Sequence, residues 1–138
     1  MSRGAFPLAG GAVSVGRPLR MLIVDDSTIM RRRIERSQQL DRIEVVGLAG
    51  NGVEAVELFR HTDPDIVTMD ITMPQMNGIE CVARLVAMKP QVLILVISAL
   101  GDKATAVEAI EKGANGFLNK PFTDRQLTDA LEELLAGG

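Results

Sequence analysis

Hydrophobic residues in this chain follow two patterns that alternate along the sequence. Five short runs are almost continuously apolar, which is typical of parallel strands buried on both faces. The first run ends in two aspartates, Asp25 and Asp26, and the third is followed by Asp70. The pattern therefore predicts strands over residues 21–24, 43–49, 66–69, 92–97 and 116–118.

The segments between these runs carry apolar residues at spacings of three and four, which indicates amphipathic helices. Ser27 can open the first helix, and Asn51 is a plausible N-cap for the second. The third is predicted over 78–88. The fourth, near 103–112, stops at Gly113, a residue that suits the end of a helix. The fifth begins near Thr123.

Strands that alternate with helices predict an α/β fold with a parallel sheet and right-handed crossovers. We expect a doubly wound, five-stranded sheet of flavodoxin-like (βα)5 type, in the order 2-1-3-4-5. Residues 20–138 would form this one domain. Residues 1–19 combine many small residues with two prolines and predict a flexible leader.

Composition narrows the possible functions. The net charge is −3 and basic residues are interspersed with acidic ones, which argues against nucleic-acid binding. No apolar run approaches the roughly 20 residues that a membrane span needs. A single cysteine, Cys81, allows no internal disulfide, and a cytoplasmic location fits this.

We expect the functional site where the aspartates come together. Ligands of doubly wound sheets lie beyond the carboxyl ends of the strands, where the strand order reverses. Asp25, Asp26 and Asp70 stand at those ends. Two carboxylates about 4 Å apart repel by about 4 kcal/mol at an effective dielectric constant of 20. A cation must therefore lie among them, and Mg²⁺ suits carboxylates, water and phosphate best.

Two further residues are predicted at the same edge. Ser98 follows the fourth run and Lys120 the fifth. Each of the five residues alone has an ordinary explanation as a turn, a cap or a solvated lysine. Their joint placement at the ends of strands one, three, four and five is improbable by chance.

Other folds and functions fit the sequence less well. A dinucleotide-binding fold needs a glycine-rich loop after the first strand, where this chain reads DDSTIM. A flavin site would favour aromatic residues, and the chain has no Trp or Tyr. A Mg²⁺-dependent phosphatase with an aspartyl nucleophile would need Asp-x-Asp, but Ile71 and Thr72 follow Asp70.

Four segments resemble bacterial response-regulator receiver domains, especially the stand-alone chemotaxis regulators. They are LIVDDS at 22–27, DIVTMDITMPQMNG at 65–78, VISA at 96–99 and NKPF at 119–122. The resemblance implies roles for individual residues. Asp70 would be the phosphoacceptor, and Lys120 would pair with the phosphoryl oxygens.

The same resemblance implies a metal site and a switch. Asp26, Asp70 and the backbone carbonyl of Thr72 would ligate Mg²⁺, with Asp25 acting largely through a bound water. Ser98 would hydrogen-bond the phosphoryl group, and Phe117 would be the aromatic switch residue. Lys120–Pro121 would be a cis peptide bond, as in the family.

The resemblance also implies a signalling role, not that of an ordinary enzyme. A histidine kinase or a small phosphodonor would phosphorylate Asp70. A downstream partner would read the face of the fourth helix, fifth strand and fifth helix. The chain would be a monomer when unphosphorylated. Two alternatives stay open: a phosphorelay intermediate that passes its phosphoryl group to a histidine phosphotransfer domain, and a receiver excised from a larger regulator.

Two residues depart from the family pattern. Thr72 lacks the acid or amide that many relatives use to orient the hydrolytic water. Phe117 replaces a tyrosine that many chemotaxis members carry. These two departures bear on the phosphoryl lifetime and on the choice of partner.

Overall fold

The computed structural model describes residues 17–37, 41–72, 77–99 and 101–137. Five strands alternate with five helices along the chain. The strands are β1 (Leu19–Val24), β2 (Ile43–Ala49), β3 (Ile66–Asp70), β4 (Leu93–Ala99) and β5 (Gly116–Lys120). The helices are α1 (Thr28–Ser37), α2 (Gly52–Thr62), α3 (Gly78–Met88), α4 (Lys103–Glu111) and α5 (Asp124–Gly137).

The strands form one parallel sheet in the order β2-β1-β3-β4-β5, which confirms the predicted fold and strand order. One face of the sheet packs against α2 and α3 through a cluster that includes Phe59 and Leu85. The other packs against α1 and α5, where Ile34 and Leu131 are fully buried. Helices on both faces explain why the central strands read as continuous apolar runs.

Side-chain caps fix where the first three helices begin. Asn51 Oδ1 accepts a hydrogen bond from Glu54 N at 2.9 Å, so the predicted cap of α2 is confirmed. Asn77 Oδ1 accepts from the backbone N–H groups of Ile79 and Glu80 at the start of α3. Ser27 Oγ accepts from Met30 N in α1. Each cap satisfies donors that have no partner within the helix.

The buried face of α2 is not the face that the spacing of its large apolar residues indicates. Val53, Val56 and Phe59 are spaced at three residues, as on one buried helical face, but Val53 is 61% exposed. The small residues Gly52 and Ala55 are buried in its place. They allow the helix to approach the sheet closely, which a pattern that counts only large apolar residues does not reveal.

The first strand begins one residue before the expected start of the domain, since Leu19 pairs with Ile43. Arg17 forms an ion pair with Asp65 across 3.7 Å. Residues 1–16 of the predicted leader lie outside the described residues, so its flexibility stays a prediction. Within the described ranges, no helix has the length and apolarity needed to cross a bilayer.

Candidate functional site

The carboxyl edge of the sheet brings the three predicted aspartates together. Asp25 follows the last residue of β1, Asp26 comes next, and Asp70 is the last residue of β3. One carboxylate oxygen from each lies within 4.8 Å of the others. β1 and β3 are neighbours in the sheet, so this cluster lies at the point where the strand order reverses.

Asp25 is almost completely buried, with 1% of its surface exposed. Its Oδ1 atom accepts a hydrogen bond from Ser27 N at 2.9 Å. Burial raises the pKa of Asp25, and the charge of Asp70 adds to this, while the Ser27 hydrogen bond and the Lys120 charge lower it. The Oδ2 atom of Asp25 is buried and accepts no hydrogen bond from the residues described. A buried oxygen of this kind needs a cation or another polar partner.

Lys120 provides part of the compensating charge. Its Nζ atom lies 3.5 Å from Asp25 Oδ2 and 3.5 Å from Asp70 Oδ2, so one ammonium group pairs with two buried carboxylates. Lys120 ends β5, two strands away from β3, and its peptide bond to Pro121 is cis, as expected. One positive charge against three aspartates leaves the cluster net negative.

Asp70 is 2% exposed, and both of its carboxylate oxygens have partners. Oδ2 pairs with Lys120. Oδ1 accepts two hydrogen bonds from Thr72, one from the backbone N at 3.0 Å and one from Oγ1 at 2.8 Å. The sequence suggested only the Thr72 backbone carbonyl as a candidate metal ligand, so this side-chain contact was missed.

Ser98 and Phe117 lie on the neighbouring strands β4 and β5, as expected. The Ser98 side chain is completely buried, while Phe117 is 44% exposed. Within the part of the chain that the structure describes, Ser98 forms no hydrogen bond with Asp70; its Oγ atom accepts one from Asn119 Nδ2 at 3.0 Å. Asn119 was part of a recognised motif, but no role for it was foreseen.

A second contact that the sequence did not suggest involves Arg31 of α1. Its Nη1 atom donates to the backbone carbonyl of Asp25 at 2.7 Å, and its Nη2 atom donates to Thr28 Oγ1 at 3.0 Å. The guanidinium therefore fixes the turn that carries Asp25 and Asp26. Arg31 follows Asp25 closely enough in the sequence for such a contact. Because Arg32 and Arg33 stand beside it, the sequence offers no reason to single out Arg31.

The donor set at this edge fits a hard divalent cation. All three aspartates offer oxygen atoms, Asp26 is exposed to solvent, and the ammonium group of Lys120 balances only part of their charge. Mg²⁺ prefers such oxygen donors and keeps several of its waters. The site therefore has the composition that a partly hydrated Mg²⁺ requires.

Two chemically reactive residues stand apart from this edge. Cys81 is buried in α3, and burial raises the pKa of its thiol to about 11, so it is a poor nucleophile. His61 is exposed near the end of α2, where its Nδ1 atom lies 2.8 Å from the carbonyl oxygen of Glu57.

Comparison with known proteins identifies the family to which this arrangement belongs. The model of the response regulator receiver domain matches residues 21–132. The chemotaxis protein CheY of Listeria monocytogenes is 44% identical over 115 residues, which cover 83% of this chain and 97% of that protein. CheY of Thermotoga maritima is 44% identical over 83% of this chain and 96% of its own length.

Solved structures of receiver domains are similar as well. The response regulator domain of Thermotoga maritima CheB superimposes with a TM-score of 0.74 at 36% identity, covering 88% of this chain and 96% of that one. The REC domain of AraT from Geobacillus stearothermophilus gives a TM-score of 0.81 at 28% identity, covering 86% and 94%. With its family model, its fold and its acidic edge in agreement, the chain belongs to the response regulator receiver domains.

Proposed function

We propose that this chain is a receiver that accepts a phosphoryl group on Asp70 and signals by changing its binding to a partner. The observation that carries the proposal is the Asp70 carboxylate, which is buried beside Asp25 and paired with Lys120. A histidine kinase that carries phosphohistidine would be the donor, and acetyl phosphate would be a small-molecule substitute.

The transfer needs little covalent help from the protein. An oxygen of Asp70 forms the new bond to phosphorus while the bond from phosphorus to the donor's imidazole nitrogen breaks, and the imidazole takes up a proton. Lys120 already lies 3.5 Å from Asp70, where its charge can stabilise the phosphoryl oxygens. Orientation and a fixed positive charge are the main contributions that such a transfer requires.

The acidic edge supports a magnesium requirement for this transfer. Asp26, Asp70 and the backbone carbonyl of Thr72 would hold the ion directly, and Asp25 would hold it through a water. When bound, Mg²⁺ supplies positive charge that offsets the three carboxylates and the phosphoryl oxygens. The ion would also balance charge that Lys120 alone, at 3.5 Å from both Asp25 and Asp70, does not.

The output surface that fits this proposal is the α4–β5–α5 face. Phe117 projects from β5 with nearly half of its surface exposed, and β5 is an edge strand. An exposed aromatic side chain on the last strand of the described sheet offers apolar area to a protein partner. A partner that binds here would sense a change in the Phe117 ring.

Labelling with acetyl phosphate tests the acceptor. In the presence of Mg²⁺, we expect the intact mass to rise by one phosphoryl group, and Asp70→Asn should abolish this adduct. Asp129→Asn is the matched control, because Asp129 is exposed on α5 and pairs with Arg125 of the same helix. An Asp70→Asn protein that labels as fully as the wild type would place the acceptor elsewhere.

A further inference from the structure

A side-chain hydrogen bond joins β4 to β5 near the carboxyl ends of the two strands, beside the acidic edge. Asn119 Nδ2 donates to Ser98 Oγ at 3.0 Å, and the two residues are also partners in the strand register. Ser98 is completely buried, so its hydroxyl has few competing partners and the bond is shielded from water.

Asn119 lies between the acidic edge and the exposed aromatic ring. It precedes Lys120, whose ammonium group pairs with Asp70. It also lies two residues after Phe117, and alternate residues of a strand share a face. The register confirms this placement, because Phe117 is opposite Val96 and Asn119 is opposite Ser98.

The direction of the hydrogen bond matters for what Ser98 can do. The amide of Asn119 is the donor and the Ser98 oxygen the acceptor, so the hydroxyl is held at β5. A phosphoryl group on Asp70 would present new acceptor oxygens on the neighbouring strand β3. A Ser98 side chain that turns toward those oxygens must lengthen or lose its bond to Asn119.

We propose that Asn119 is a positioning residue that holds Ser98 in its resting orientation and so sets how readily the receiver switches; this rests on the proposed function. The bond stabilises the unphosphorylated arrangement and has no equivalent once Ser98 has moved. Asn119 is half-buried, so its freed amide can find water after the change. A ligand can only shift states that are already accessible, and Asn119 biases that equilibrium toward rest.

The expected change in beryllofluoride affinity follows from the free energy of one hydrogen bond. A typical bond between neutral groups changes an equilibrium by about fivefold. Asn119→Leu keeps a side chain of similar size but cannot donate. The variant should therefore bind beryllofluoride, a mimic of the phosphoryl group on Asp70, about fivefold more tightly than the wild type.

A double-mutant cycle separates this effect from a general change in packing. Wild type, Asn119→Leu, Ser98→Ala and the double variant are titrated with beryllofluoride in the presence of Mg²⁺, and binding is followed through backbone amide shifts in NMR spectra. We expect the fivefold gain to vanish in the Ser98→Ala background, because the hydroxyl that Asn119 restrains is then missing.

Other results would overturn the inference. An unchanged or weaker affinity of Asn119→Leu contradicts it, and so does an equal gain with and without the Ser98 hydroxyl. Asn119→Ala repeats the loss of the donor with a smaller side chain, so poor folding of the leucine variant does not block the test. Wild type that fails to bind beryllofluoride would refute the proposed function itself, whereas normal wild-type binding with no effect of Asn119→Leu refutes the inference alone.

Discussion

Thr72 donates two hydrogen bonds to the same oxygen of Asp70, one from its backbone N and one from its side-chain hydroxyl. The hydroxyl bond is the shorter, at 2.8 Å. This side chain therefore orients the carboxylate that we propose as the acceptor. A hydroxyl so engaged is neither a base nor an amide that could direct water at a phosphoryl group.

Replacement of Thr72 should therefore change the lifetime of the phosphorylated protein. An aspartyl phosphate with Thr72 next to it is expected to hydrolyse slowly. Thr72→Asn or Thr72→Glu should shorten the lifetime by about tenfold, because each can orient the attacking water. The decay of the labelled protein, followed by intact mass after removal of acetyl phosphate, measures this. Thr72→Val, which keeps the shape but not the hydroxyl, is the control, and equal decay in all variants would show that this position does not control hydrolysis.

Loss of the exposed aspartate should remove the metal dependence of labelling. Asp26→Ala deletes a proposed direct ligand and one negative charge, so Mg²⁺ should no longer accelerate labelling by acetyl phosphate. Asp25→Ala should have a milder effect, since its proposed contact runs through water. Labelling rates with Mg²⁺ and with a chelator provide the measurement. Wild-type protein that labels equally well in both conditions would argue against any role for the metal.

Gly78 holds the segment that carries Asp70 close to the start of α3. A methyl group at this position would overlap the Cα atom of Ile71 and lie 2.7 Å from the carbonyl oxygen of Asp70. Because both are backbone atoms, they cannot move aside cheaply. Gly78→Ala should lower the free energy of unfolding by about 3 kcal/mol and slow labelling of Asp70.

Gly116→Ala is the matched control for that change. A methyl group there would meet Leu95 and Leu134 at 3.6 and 3.7 Å, which is ordinary van der Waals contact. Denaturant unfolding of both variants gives the comparison. If the two substitutions cost the same, the close approach at Gly78 has no special importance.

Phe117 should report the state of the receiver. Its ring is 44% exposed at rest, and movement of Ser98 would open space on the same face of β4 and β5. We expect beryllofluoride to shift the ¹⁹F signal of fluorinated phenylalanine at this position, assigned with Phe117→Leu among the four phenylalanines. A signal that stays in place while amides of α4 shift strongly would mean that output runs through the backbone instead.

The fold could be predicted from the sequence because each part of the pattern has one strong physical cause. Strands buried on both faces must be apolar throughout, and Asn51 announces the start of α2 by its capping side chain. The exposed face of α2 could not be predicted, since it depends on how closely Ala55 approaches the sheet. Such distances are set by tertiary packing and not by the spacing of large side chains.

The members of the site could be predicted for a similar reason. Asp25, Asp70 and Lys120 stand at the ends of strands, and parallel strands bring those ends to one edge. The hydrogen bonds of Asn119 and Thr72 could not be predicted, because a polar residue beside the edge of the sheet has several possible partners. Which partner it selects depends on strand register and side-chain orientation.

The position of Lys120 has a consequence for how the chain is made. Translation releases Asp25 first, Asp70 next and the balancing lysine last, on the final strand of the sheet. A nascent chain in which β1 and β3 have already paired thus carries the carboxylates of Asp25, Asp26 and Asp70 at one edge, before the ammonium group of Lys120 can offset them. Those carboxylates must stay hydrated or be balanced by another cation until β5 emerges from the ribosome and docks against β4.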